Sequence, residues 1–137
     1  MNTLEKLYDI ALCENISIDN FHWCDTKARI FKIDGKYSIA LDNSQINNSI
    51  EEKEIMAEEL GHYYCNALYT IFSPLELIKK HELRALKWAY SILVPYNKLK
   101  EKIHEGLNLY ELAEKFDVEP QYMKDCIEFY IGKYGDF

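Results

Sequence analysis

Apolar positions recur at helical spacing from Thr3 to Glu14, where Leu4, Leu7, Tyr8, Ala11 and Leu12 fall on one face, so the pattern predicts an amphipathic helix. The period then changes to two. Lys27 to Ile33 and Lys36 to Leu41 flank Asp34-Gly35, and an Asp-Gly pair between alternating runs predicts a β-hairpin, because both turn positions need positive φ. The polar run Asp42 to Asn48 predicts a loop. Ser49-Ile50-Glu51-Glu52 has the form of a capping box and predicts a helix running to about Leu68. A second box, Ser73-Pro74-Leu75-Glu76, places proline at the first helical position, where its missing N–H costs nothing. That helix should run until Pro95, which biases Val94 away from helical geometry. Shorter helices are predicted over 96–104, 109–116 and 120–132, the last two separated by Asp117-Val118-Glu119-Pro120. One helix, a small sheet and then a run of helices make the expected class α+β, mostly helical, rather than alternating β–α units.

Size and charge narrow this picture. At 137 residues, 48% of them hydrophobic, the chain is long and apolar enough for one domain over 1–137 with a real core and a helical C-terminal part, 95–137. Sixteen basic against 23 acidic residues argue against a nucleic-acid binder, since phosphate contacts need clustered Lys and Arg. The C-terminal helices have a helix-turn-helix-like pattern, yet residues 107–137 hold seven acids and three lysines, and the would-be recognition helix has no Arg. They are expected to pack or to bind a protein partner. No apolar run approaches the ~18–20 residues of a membrane span, and Met1-Asn2-Thr3-Leu4-Glu5-Lys6 has no signal-peptide core, so a cytoplasmic protein is expected. Cys13, Cys24, Cys65 and Cys126 form no C-x-x-C pair, so the expectation is four reduced thiols, mostly filling small spaces.

Candidate chemistry is concentrated in Ala57-Glu58-Glu59-Leu60-Gly61-His62. At ~100° per residue, Glu58 and His62 lie ~40° apart and Glu59 ~100° from Glu58, so the three project from one side of a helix. An acid and an imidazole one turn apart can bind one metal ion, with a second acid placed to act on a bound water. Alone, the segment reads first as a solvated i, i+4 pair near the acidic start of a helix. Glu82, about two turns into the next helix, supplies a third potential ligand if the two helices pack as an antiparallel pair. His22 and His104 have no ligand-spaced neighbour, so surface or packing roles are expected for them.

With Glu82, Ala85, Trp88, Ala89, Leu93 and Pro95 in the next helix, the stretch resembles the ImmA/IrrE family of small metallopeptidases from phages and mobile elements. That family carries a His-Glu-x-x-His helix, and its next helix reads Glu-x-x-Ala-x-x-aromatic-Ala-x-x-x-Leu-x-Pro. The 19 residues between His62 and Glu82 are similar to gluzincin spacing. The resemblance extends from the hairpin through Ile55–Tyr64 to Leu109–Val118, and covers about 27 to 134. It implies a zincin-like fold with His62 and Glu82 as metal ligands and Glu59 as general base. Glu58 stands where the family has histidine, a variant that leaves a carboxylate in a ligand position. The resemblance implies one divalent ion, zinc above all; a carboxylate-rich set also suits Mn or Fe(II). It further implies a metallo-endopeptidase acting on a helix-turn-helix transcriptional repressor. The alternative is a member impaired at Glu58 that holds the repressor without cutting it. Tyr63, Tyr64, His81 and Arg84 are near enough in sequence to serve as oxyanion donors, but as residues of packed helices they default to structural roles.

Overall fold

A computed structural model describes residues 2–22, 25–65 and 73–137. Among them are six helices and a three-stranded sheet, an α+β architecture. The elements in order are α1 (Thr3–Cys13), β1 (Ser17–Asn20), β2 (Ala28–Ile33), β3 (Lys36–Leu41), α2 (Ser49–Tyr64), α3 (Leu75–Leu93), α4 (Tyr96–His104), α5 (Leu109–Phe116) and α6 (Pro120–Tyr134). The chain divides into two compact units, Met1–Ala89 and Tyr90–Phe137, with the boundary inside α3. No described helix is long and apolar enough to cross a membrane.

In the first unit, β2 and β3 form the expected hairpin, with Asp34 at φ 50° and Gly35 at φ 78° turning the chain between Ile33 and Lys36. β1, which its short polar sequence did not predict, pairs parallel to β3, with Ser17 opposite Ser38 and Asn20 opposite Leu41. The order is therefore β1-β3-β2, with β3 central and β2 at an edge among the described residues. Centrality explains why Ile39, Ala40 and Leu41 are the buried run of the sheet.

α2 packs against α1 and β2 and contributes Met56, Ala57 and Leu60 to the core beside Leu7, Ala11 and Ile39. Leu12, expected on the same face of α1, is instead 74% exposed, because it lies ~140° around the helix from the buried Leu7, whereas the buried Ala11 lies ~40° from it. The N-cap of α2 is Asn48 rather than Ser49: its side chain accepts the Glu51 N–H at 2.9 Å. Glu52, the closing residue of the expected box, instead accepts from the Tyr8 hydroxyl at 2.9 Å, and the Glu51 carboxylate binds Lys27 and Asn47. α3, by contrast, starts one residue later than expected, at Leu75, with the Pro74 carbonyl taking the N–H groups of Leu77 and Ile78. The expected continuation of α2 over residues 66–68 lies outside the described residues.

The second unit has its own core of Leu99, Leu112, Ala113, Val118, Met123 and Cys126. α5 opens with a capping box, Asn108 with Glu111, and closes on Asp117 in the left-handed conformation, which Asp tolerates well. The α3–α4 break falls at Val94-Pro95 as expected. There the buried Tyr130 hydroxyl donates to the Val94 carbonyl at 2.9 Å, satisfying an acceptor that the break removes from helical pairing. Of the cysteines, Cys126 fills core space as expected. Cys13 is exposed, Cys65 is half-buried, and Cys24 lies outside the described residues.

Candidate metal centre

The cap at Asn48 sets where α2 begins, and the helical repeat then sets which residues face which neighbour. Glu59 points toward the sheet, where the backbone N–H of Ile30 in β2 donates to its carboxylate. Gly61 points toward α3. A Cβ there would lie 3.0 Å from the carbonyl carbon and Cα of Ala85, and closer still to its carbonyl oxygen. Glycine is otherwise a poor residue for a helix interior; here it lets α3 pass against the backbone of α2. The same approach is supported on either side. Tyr64 stacks on Trp88 with ring centroids 5.0 Å apart, and the Cys65 thiol reaches the Arg84 carbonyl at 3.4 Å.

Between the directions of Glu59 and Gly61 lie Glu58 and His62, and Glu82 of α3, one turn before Ala85, meets them. Glu58, His62 and Glu82 each present a ligand atom, and these atoms lie within 4.8 Å of one another. His62 Nε2 is 3.4 Å from Glu82 Oε1. His62 is buried, while the two glutamates are half-buried, so the cluster is walled but reachable.

Such a donor set fits a cation. Two carboxylates and an imidazole that converge from two helices need a proton or a positive ion among them to offset their repulsion. Without an ion, Glu58 and Glu82 share a proton in the hydrogen bond between them. Desolvation first, then its hydrogen bond to Glu82 and that neighbour's charge, push the Glu58 carboxyl up to about 8. The set combines carboxylate oxygens with one imidazole nitrogen, three ligands that can leave a coordination position open. Glu59 is also raised, to about 7, chiefly by desolvation; His62, the Ile30 N–H and Arg29 oppose the rise.

The tyrosines, His22 and His104 have other partners. The Tyr63 hydroxyl donates to Glu14 at 2.7 Å and that of Tyr64 to the same carboxylate at 3.4 Å, tying the end of α2 to the end of α1. The Tyr63 ring also meets Tyr37 of β3 edge-on. Arg84 is exposed and His81 half-buried. His22 is exposed beside Asp42 and Ser44, and the His104 ring meets the Phe137 carbonyl at 2.6 Å. Sequence reasoning missed the Ile30 contact to Glu59 and the role of Gly61. For Gly61 a signal existed, since a glycine inside a helical pattern marks close backbone approach.

The model of the IrrE N-terminal-like domain, a peptidase family, matches residues 14–124. The chain belongs to this family, which implies a metal-dependent peptidase, a hydrolase acting on a protein substrate. No curated protein and no solved structure matches the chain.

Proposed function

Because the chain is a member of this peptidase family, we propose that Glu58, His62 and Glu82 hold one divalent ion and that Glu59 is the general base of a metallo-endopeptidase acting in the cytoplasm. The observation that carries the proposal is the convergence of three ligand atoms within 4.8 Å beside a third, desolvated acid. When bound, the ion supplies Lewis acidity toward the scissile carbonyl and toward an attacking water.

The chain's own residues do the rest. Glu59, poised near neutrality, can accept the proton of the attacking water and return it to the leaving amine. The Ile30 N–H fixes the carboxylate in place for that transfer. Apart from the Ile30 N–H, which Glu59 takes, the outward backbone groups of the β2 edge can pair with an extended substrate beside α2. The substrate suggested by the family resemblance is a helix-turn-helix transcriptional repressor of a phage or mobile element, and the chain's formal charge of −7 complements a basic DNA-binding protein.

Zinc is the first candidate for the ion. Two carboxylates nearly neutralise it, which weakens its Lewis acidity and brings Mn and Fe(II) into contention. Glu58 is also the observation favouring the second reading, a repressor-binding anti-repressor without catalysis.

The test combines equilibrium dialysis against zinc with a peptide-cleavage assay on the parent and Glu59→Gln. The expected result is one bound ion in both proteins, with cleavage lowered at least ~10²-fold in the variant. An ion lost together with activity would make Glu59 a ligand. An ion bound without any cleavage by the parent would favour the anti-repressor.

A further inference from the structure

α3 carries a second feature that the metal cluster does not use. Lys79, Lys80, Leu83, Arg84 and Lys87 fall within an arc of about 140° on this helix, and all five are exposed. Ala85 and Ala89, both buried, occupy the opposite side, so the arc faces solvent. It holds four of the chain's 16 basic residues, in a chain with an excess of acids. None of the four cations has an ion-pair partner among the described residues. Near its middle Leu83 is 54% exposed. The stripe starts beside the cluster, because Lys79 and Glu82 are one turn apart and ~60° apart around the helix.

We propose that this face of α3 is a docking surface for an acidic segment of the polypeptide substrate, with Leu83 receiving an apolar side chain between the anionic ones. The proposal rests on the peptidase reading only in taking the partner to be the substrate. Charge complementarity selects the occupant. The stripe is ~12 Å long, from eight steps of 1.5 Å rise between Lys79 and Lys87, about the reach of a few acidic side chains. A nucleic-acid duplex fits poorly. It presents a long array of phosphates, and stable binding draws on many of them, whereas the net −7 surrounding this stripe repels a polyanion over its length. A short acidic segment senses mainly the local cations, because charges beyond ~8–10 Å are screened at physiological salt. The exposed leucine gives a peptide an apolar anchor that a sugar–phosphate backbone would not use.

The experiment measures fluorescence anisotropy with the full chain and three labelled probes: a peptide of repeating Glu-Glu-Leu, its Lys-Lys-Leu counterpart, and a DNA duplex. The variants are Lys79→Gln/Lys80→Gln/Arg84→Gln/Lys87→Gln, which keeps the side chains long and polar, and Leu83→Ser. The acidic peptide should bind the parent, weaken at least about tenfold in the fourfold variant, and weaken similarly on raising the salt. Leu83→Ser should weaken it less, and the basic peptide and duplex should not bind. Acidic-peptide binding untouched by the fourfold variant would overturn the proposal, as would no binding at all. Duplex binding that the variant abolishes would overturn it too, assigning the stripe to phosphate instead. Cleavage separates this proposal from the peptidase reading. Binding with no cleavage of any peptide keeps the docking surface and refutes the peptidase. Cleavage rates indifferent both to an acidic tail and to the fourfold variant keep the peptidase and refute the docking surface.

Discussion

Replacing Gly61 by alanine tests whether the approach of α3 to α2 sets the metal site. In an unobstructed helix interior the change would stabilise by about 0.5–1 kcal/mol, through backbone entropy. At Gly61 the new methyl meets the backbone of Ala85, 3.0 Å from its carbonyl carbon and Cα and nearer to its oxygen. A peptide group cannot rotate aside as a side chain can, so α3 must retreat by roughly 1 Å to restore ordinary contact. Overpacking of this kind costs about 1–3 kcal/mol, at the upper end here because the obstacle is backbone. After the helix-propensity gain, a net loss of about 1–2 kcal/mol remains, a melting temperature lower by about 3–8 °C.

Metal affinity should suffer with it. Glu82 is one turn from Ala85 on α3 and moves with it, whereas ligand distances tolerate only ~0.2 Å. A loss of at least about tenfold in zinc affinity is expected, read by competition with a chelator, alongside thermal unfolding of the metal-free protein. Gly132→Ala is the internal control. It lies in α6, its added Cβ meets nothing within 4 Å, and it should raise stability by up to ~1 kcal/mol without touching metal binding. If Gly61→Ala stabilises like Gly132→Ala and binds zinc as tightly as the parent, the helix contact does not position the cluster.

Glu58→His should bind zinc more tightly than the parent and lose no activity, because a neutral imidazole leaves the ion one unit more positive; weaker binding and lower activity with every metal, in a side-by-side titration and cleavage assay, would mean that position 58 does not face the ion. Metal-free protein should lose stability as pH rises from about 5 to 8. The Glu58 carboxyl is raised from 4.5 to about 8 in the fold, so its protonated form favours folding below 4.5 and that contribution is lost as pH climbs through 8. Thermal unfolding across this range should show the slope flattened in Glu58→Gln, and an unchanged slope would contradict the shared-proton geometry. The chain should show no sequence-independent DNA binding at moderate salt; a micromolar duplex affinity that falls steeply with salt would reverse the charge argument.

The features legible in the sequence were those decided between residues close together in the chain. Asp34-Gly35 turns the hairpin because two adjacent residues must adopt positive φ. Pro95 ends α3 by excluding its neighbour from helical geometry, and Asp117-Val118-Glu119-Pro120 separates α5 from α6. Glu58 and His62 could be grouped for the same reason, being one turn apart on one helix. Glu82 was added by resemblance and spacing from another helix.

Tertiary structure decided what depends on which surfaces meet. Ser17–Asn20 has no strand pattern, and it is a strand because β3 offers it a parallel partner some twenty residues away. Leu12 follows the helical pattern of α1, but it sits at the flank of that face, which the core does not cover, while Ala11 of the same turn is buried. Tyr63 and Tyr64 stand next to His62 in the chain, yet their hydroxyls are taken by Glu14 because α1 ends beside α2. Glu59 is oriented by an N–H from the sheet, and Gly61 admits α3 close enough for Glu82 to join the cluster. Helical periodicity thus told which residues share a face of α2. What each face meets was set by the packing of α1, β2 and α3 around it, since contact between distant segments is a property of the assembled core.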